Sequence, residues 1–277
     1  MCKVDALRYF DNYITRFDNE LEKELELYSW SQFYEPLKYA LANGKRLRPL
    51  LLILSAESVG GKSEDLYNAA VAVELLHTES IIHDDIIDKE SKRRGNIPFY
   101  KKYGYDFSIL TADFVLGMIL HVVAKIDNAR AARELANAAL LMSEGEALDI
   151  MEGRIITFDD YINMIELKTS SLFEVSAKVG AILGGGDENA IEKLAMFGKY
   201  IGLAYQIHDD MNDWHKEYKL FNILLDSSKQ KEEFFVTMNK YYENYIIKAY
   251  DALKYINDNS RLERLIELTR SDYKKMR

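Results

Sequence analysis

The sequence predicts an all-α fold, and three observations carry that prediction. Apolar residues recur at helical spacing along most of the chain, as in Tyr9, Tyr13, Ile14 and Phe17. No segment alternates apolar and polar residues for long enough to make a half-buried strand. Proline occurs only at Pro36, Pro49 and Pro98, which leaves long segments free to be helical.

The elements follow in chain order. Pro49 begins a very apolar helix. Gly60-Gly61 breaks it, and Ser63 with Asp65 resembles the start of the next. Leu66, Ala69, Ala70, Val73 and Leu76 form that helix's apolar stripe, which carries His77 to the edge of a motif-rich region. Gly95-Asn96 and Gly184-Gly185-Gly186 read as further breaks. The polar stretch 227–233 is a loop or a helix start. No internal repeat, low-complexity tract or Pro/Gly/Ser-rich linker divides the 277 residues, so a single domain over 1–277 is the simplest account.

Bulk properties exclude several classes. With 48% hydrophobic residues the chain can bury a large core. A formal charge of −9 argues against nucleic acid as a partner. Cys2 is the only cysteine, so neither an intrachain disulfide nor a cysteine-based zinc site can form. The first thirty residues are amphipathic and charged, unlike a secretory signal. The longest apolar run, Leu50 to Leu54, is too short to span a bilayer. The expectation is a soluble cytoplasmic protein without stable membrane insertion.

Two acidic clusters carry the chemistry. His83-Asp84-Asp85-Ile86-Ile87-Asp88 and His208-Asp209-Asp210-Met211-Asn212-Asp213 both fit D-D-x-x-D, and both end an apolar helical stretch. Residues four apart share a helix face, so Asp84 projects with Asp88, and Asp209 with Asp213. A lone cluster reads best as a solvated helix end. Two clusters facing each other make a pocket too negative to stay unpaired, and cations must fill it. Carboxylates suit Mg²⁺, which keeps waters and favours phosphate oxygens.

Two basic segments complete the pattern. Gly44-Lys45-Arg46-Leu47-Arg48-Pro49 sets three cations at the start of the apolar helix, where Lys45 and Arg48 can clamp a diphosphate. Lys92-Arg93-Arg94-Gly95 follows the first acidic cluster closely enough to reach the same pocket. Cations beside acidic clusters make sense if a polyanion bridges them.

With these motifs assembled, the chain resembles the trans-type isoprenyl diphosphate synthases, also called polyprenyl synthetases. The resemblance runs from Gly44 to about Lys219. It rests on G-K-R-L-R-P, H-T-E-S-I-I-H-D-D-I-I-D, K-R-R-G, the Lys168-Thr169 pair and Y-Q-I-H-D-D-M-N-D, in that order. It implies an isoprenoid-synthase-type helical bundle with a central pocket, usually a homodimer. It implies a Mg²⁺-dependent transferase that joins isopentenyl diphosphate to an allylic diphosphate, with three ions per active site once substrate is bound.

By position, the resemblance makes Asp84, Asp88 and Asp209 the main metal ligands, supported by Asp85, Asp210 and Asp213. It assigns Lys45, Arg48, His77 and Arg94 to isopentenyl diphosphate. It assigns Arg93, Lys168 and Lys219 to the allylic diphosphate, and Thr169 and Gln206 to the developing allylic cation. Lys274, Lys275 and Arg277 resemble a basic tail that closes over the homoallylic substrate.

Three features depart from the family pattern. Glu79 stands five residues before Asp84, where a small or aromatic residue usually lines the chain-elongation tunnel. A carboxylate there is costly, so Glu79 must be paired, protonated or turned out. Glu146, in Gly145-Glu146-Ala147-Leu148-Asp149, stands where glutamine is common. The loop after Asp213 is short and keeps only Lys216 and Lys219. The expected product has fifteen to twenty carbons, with geranylgeranyl diphosphate slightly ahead.

Three rival readings explain less. His77, His83-Asp84 and Asp88 are similar to the H…HD…D pattern of helical metal phosphohydrolases, which leaves the second acidic cluster and the Gly44–Pro49 segment unused. On this account His83 and His208 are helix-packing residues. A class I terpene cyclase would share the fold and the ionisation step, but would not need Lys45, Arg48 and His77 for a second diphosphate. A non-catalytic synthase subunit commonly loses an aspartate cluster, and this chain keeps both.

Overall fold

The structure, a computed structural model, describes residues 9–61, 63–93, 95–150, 157–212, 221, 224–225, 228 and 231–273. The described residues are helical, with one isolated bridge between Arg93 and Asn96 in place of a sheet. The helices are α1 (Asp11–Glu26), α2 (Tyr34–Leu41), α3 (Leu47–Ser58), α4 (Asp65–Ile87), α5 (Phe99–Tyr103), α6 (Tyr105–Val123) and α7 (Ala129–Asp149). After α8 (Phe158–Ile165) comes a π-helical turn (Glu166–Ser170), then α9 (Ser171–Leu183), α10 (Glu188–Asn212), α11 (Lys231–Leu253) and α12 (Ser260–Tyr273).

Local sequence sets these boundaries. Ser63 Oγ accepts from the Asp65 amide at 3.2 Å and opens α4. Asn128 accepts from the Ala131 amide to cap α7, and Thr157 with Asp160 makes a capping box on α8. The breaks turn on Gly60, Gly95 and Gly185, whose φ values are +83°, +81° and +75°.

Helices α3 and α9 form the middle of the molecule. Leu50, Leu51 and Leu54 face a core made with α10, α11 and α12, while Leu52 and Ile53 face one made with α1, α4, α6 and α7. Helix α9 divides in the same way, with Phe173 and Ala177 on one side and Leu172 and Val175 on the other. A helix buried on both sides must be apolar all round, which explains the Leu50–Leu54 run. The two helices approach closely because Gly180 has no side chain. A Cβ there would lie 2.1 Å from the Leu52 carbonyl oxygen. Arg261 of α12 ties the C-terminal part to α1 and α3 by donating to Tyr13 at 2.8 Å and to Glu57 at 2.5 Å.

Helix α4 is 23 residues long, or about 34 Å of rise. Its first half is core, and its second half carries the first acidic cluster out to a cleft. Helix α6 packs on α4, and by length and composition alone is apolar enough to cross a bilayer. Asp106 and Asp113 interrupt its apolar residues, so no long unbroken run marks it in the sequence.

Candidate active site

Six segments bring polar residues to one cleft of about 670 Å³, among them the turn with Lys92 and Arg93 and helix α7 with Ser143 and Glu146. The start of α3 supplies Lys45, Arg46 and Arg48, and α4 supplies His77, Glu79, Ser80, His83 and Asp84. The π-helical turn supplies Lys168 and Thr169, and the end of α10 supplies Tyr205, Gln206 and Asp209. His77, Asp84 and Asp88 recur at steps of seven and four, which places them along one side of α4.

The cationic end is built on aromatic and imidazole supports. Arg48 Nη1 donates to His77 Nε2 at 3.0 Å, and its guanidinium lies 4.4 Å from the Phe173 ring centroid. Lys45 Nζ stands 5.9 Å from the Tyr205 ring. Between them Arg46 takes a left-handed conformation, with φ +54°. Its guanidinium donates to Asp18 at 2.9 Å and to the buried Glu74 at 2.5 Å. Arg46 thus anchors the turn that leaves Lys45 and Arg48 in the cleft wall.

The acidic end has two banks. Asp84 is half-buried on α4 and Asp209 is exposed at the end of α10, while Asp88, at the C-cap of α4, is half-buried outside the residues that line the cleft. Asp85 and Asp210, expected to support the metal ligands, are not among the residues that line this cleft either. Asp85 is 1% exposed, and its Oδ1 accepts from Arg93 Nε at 2.6 Å. Burial raises its pKa, and Arg93 works against that rise. Asp210 accepts from Tyr161 Oη at 2.7 Å and from Gln206 Nε2 at 2.9 Å. The reason is helical geometry: adjacent residues do not share a face, so when the first aspartate faces the cleft the second turns away.

Asp210 has a different use. It takes the Gln206 amide nitrogen, while Thr169 Oγ1 donates to Gln206 Oε1 at 2.8 Å. Two side-chain oxygens, from Thr169 and Gln206, therefore meet in the cleft wall. The π-helical turn that carries Thr169 is a rare backbone form found mostly at functional sites.

Lys168 sits between the banks. Its Nζ lies 2.5 Å from Glu146 Oε2, 2.8 Å from Asp149 Oδ2 and 3.9 Å from Asp84 Oδ1. Burial disfavours its charge, but Asp84, Asp149 and Glu146 outweigh that cost and raise its pKa. Gly145 permits the arrangement. A Cβ there would meet the Lys168 amide nitrogen at 2.2 Å, so only glycine lets α7 approach the turn this closely. Asp149 escaped the sequence reading, although it follows Glu146 at a spacing of three on one helix face.

Arg93 lines the cleft with its Nε committed to Asp85. His83 is not a packing residue: its side chain is 45% exposed at the cleft, with Nδ1 3.6 Å from Glu79 Oε1. His208 is buried against Tyr242, as a packing residue should be. Glu79 stays in the cleft wall, near His83. Burial raises its pKa, which His83 lowers and Asp113 raises further. Arg94, Asp213, His215, Lys216, Lys219, Lys274, Lys275 and Arg277 lie outside the described residues.

Known proteins resemble this chain in sequence and in fold. The family described as Polyprenyl synthetase matches residues 31–237. This chain belongs to the polyprenyl synthetase family. A geranylgeranyl diphosphate synthase of Methanosarcina mazei is 35% identical over 221 residues, covering 77% of this chain and 67% of that protein. Across the first three curated relatives the matched stretch spans 55–67% of their length. The geranylgeranyl pyrophosphate synthetase of Pyrococcus horikoshii superposes with a TM-score of 0.83 at 26% identity, over 96% of this chain and 97% of that one. A polyprenyl synthase of Caulobacter crescentus, complexed with calcium and isoprenyl diphosphate, gives 0.81 at 25% identity over 96% of each chain.

Proposed function

We infer that this polyprenyl synthetase condenses isopentenyl diphosphate with an allylic diphosphate, releasing diphosphate and a trans-prenyl diphosphate of fifteen to twenty carbons. The observation that carries this reading is the division of one cleft into a cationic end and an acidic end. Lys45 and the Arg48–His77 pair line it together with Asp84 and Asp209, and His77 and Asp84 are about 10 Å apart along α4. One cleft can then hold two diphosphates in different ways, one on basic side chains alone and one through cations. The names of the relatives in Methanosarcina and Pyrococcus support products of this size.

The residues present fit a divalent cation such as Mg²⁺. Among the described residues no three carboxylate, imidazole or thiolate groups already form a cage. Mg²⁺ suits such a site, because it usually keeps several waters and binds through one or two carboxylates plus substrate phosphates. Two buried carboxylate oxygens beside Lys168, Glu146 Oε1 and Asp149 Oδ1, have no hydrogen-bond donor. When bound, the cation would offset the negative charge of the leaving diphosphate.

The chain's own residues do the rest. Lys45, Arg48 and His77 hold isopentenyl diphosphate, and the aromatic faces of Tyr205 and Phe173 fix the two cationic side chains. Lys168 and Arg93 face the allylic diphosphate. The Thr169 and Gln206 oxygens present the negative ends of their dipoles to the allylic cation as it develops. Asp210 keeps the Gln206 amide from turning its nitrogen towards that cation. The exposed apolar residues Ile109, Leu110, Leu116 and Leu120 on α6, with Leu140 and Leu141 on α7, favour a homodimer.

The deciding experiment incubates the purified protein with labelled isopentenyl diphosphate and each allylic primer, then sizes the products. Label in a chain of fifteen to twenty carbons is the expected result. Turnover of an allylic diphosphate with no label incorporated would instead indicate a cyclase.

A further inference from the structure

The cleft has an imbalance that the two aspartate clusters do not account for. Glu146, Asp149 and Asp84 all converge on the Lys168 ammonium. Three carboxyl groups thus share one ammonium in a largely buried place. The same Lys168 nitrogen stands 3.9 Å from Asp84 and 2.5 Å from Glu146, which makes the two carboxylates near neighbours. Glu146 Oε1 is buried without a donor, and so is Oδ1 of Asp149, whose side chain is only 9% exposed. Buried carboxylate oxygens without donors are costly, and a divalent cation would remove the imbalance.

We propose that Glu146 is a further ligand of the divalent cation on the Asp84 side, and that cation binding draws it off Lys168 and frees the ammonium for the allylic diphosphate. The cation would satisfy Glu146 Oε1 and separate the Glu146 and Asp84 charges. Lys168 would keep Asp149 as its anchor and turn its remaining donors to the cleft. The release of Lys168 rests on the function proposed above, whereas cation ligation by Glu146 does not.

The test titrates Mn²⁺ into the substrate-free protein and follows free Mn²⁺ by electron paramagnetic resonance. In Glu146→Gln the tightest Mn²⁺ should bind about tenfold more weakly or worse, the scale on which even supporting partners of a metal ligand act. Thermal melting supplies a second readout. Without metal the variant should melt at or above the wild type, because a buried negative charge is gone. Added Mn²⁺ should then raise its melting temperature less than it raises that of the wild type. Equal Mn²⁺ affinity and stoichiometry in the two proteins, with equal melting shifts, would overturn the proposal and leave Glu146 as a clamp on Lys168. Weakened Mn²⁺ binding in a protein that incorporates no labelled isopentenyl diphosphate would uphold Glu146 as a ligand and reject the transferase reading.

Discussion

Arg93 Nε donates to Asp85 Oδ1 at 2.6 Å, so a cation from one motif is held by a carboxylate from another. The pair closes the turn that leads from α4 to α5, where Arg93 and Asn96 also exchange backbone hydrogen bonds. Asp85→Asn should therefore act on stability. The expected loss in denaturant unfolding is roughly 2–3 kcal/mol, below the figure for a fully buried pair because Arg93 reaches solvent. Mn²⁺ affinity of the substrate-free protein should stay close to that of wild type, since Asp85 is held by Arg93 and does not line the cleft. A loss of Mn²⁺ binding without a loss of stability would return Asp85 to the metal site.

Asp84 and Asp209 should behave in the opposite way. Asp84→Ala or Asp209→Ala is expected to lower turnover by about two orders of magnitude or more with melting temperature preserved, as for loss of a group acting on the transition state. Turnover should also stop with a chelator and return with Mg²⁺ or Mn²⁺. Near-normal turnover in both variants would remove the two-bank mechanism.

The cationic end should show itself in substrate affinity. Lys45→Ala, Arg48→Ala and His77→Ala should mainly raise the KM for isopentenyl diphosphate, by about tenfold for each lost charge-assisted contact. Arg93→Ala should act more on the allylic substrate, with some loss of stability from the orphaned Asp85. If the three variants changed stability alone, the α3 turn would be structural and the second diphosphate would lack a site.

Product length tests Glu79. A growing apolar tail that meets a carboxylate loses favourable burial, so Glu79 limits the chain if the tail reaches it. Glu79→Ala should then shift the sized products to longer chains. An unchanged distribution would place the stop deeper, on another helix.

The same residue gives a pH dependence. Burial raises the Glu79 pKa, so the folded protein takes up a proton here more readily than the unfolded chain. The stability that this proton uptake contributes is full below the unfolded value and is lost as pH rises through the raised folded value. Glu79→Gln should remove that loss, so the gap between variant and wild type should widen in favour of the variant as pH rises through the raised value. Parallel unfolding curves for the two proteins at acid and neutral pH would show that Glu79 is not held in its neutral form.

The sequence by itself determined the helices, their breaks and the outward aspartates. Helical spacing is local, so Asp84 and Asp88 fall on one face of α4 whatever surrounds it. The scarcity of proline and the positions of Gly60, Gly95 and Gly185 are equally local facts, and the turns lie where they indicate. Tertiary structure decided the partners. Asp85 and Asp210 look the same as their neighbours in sequence, and only packing showed one held by Arg93 and the other holding Gln206. Lys168 meets Glu146 and Asp149 from 22 and 19 residues away because the bare Gly145 lets α7 approach the π-helical turn. Such contacts depend on how closely two helices approach, which the residues of either helix alone do not fix. The environment of Glu79, near His83 and within reach of the Asp113 charge, was likewise set by the packing of α6 on α4.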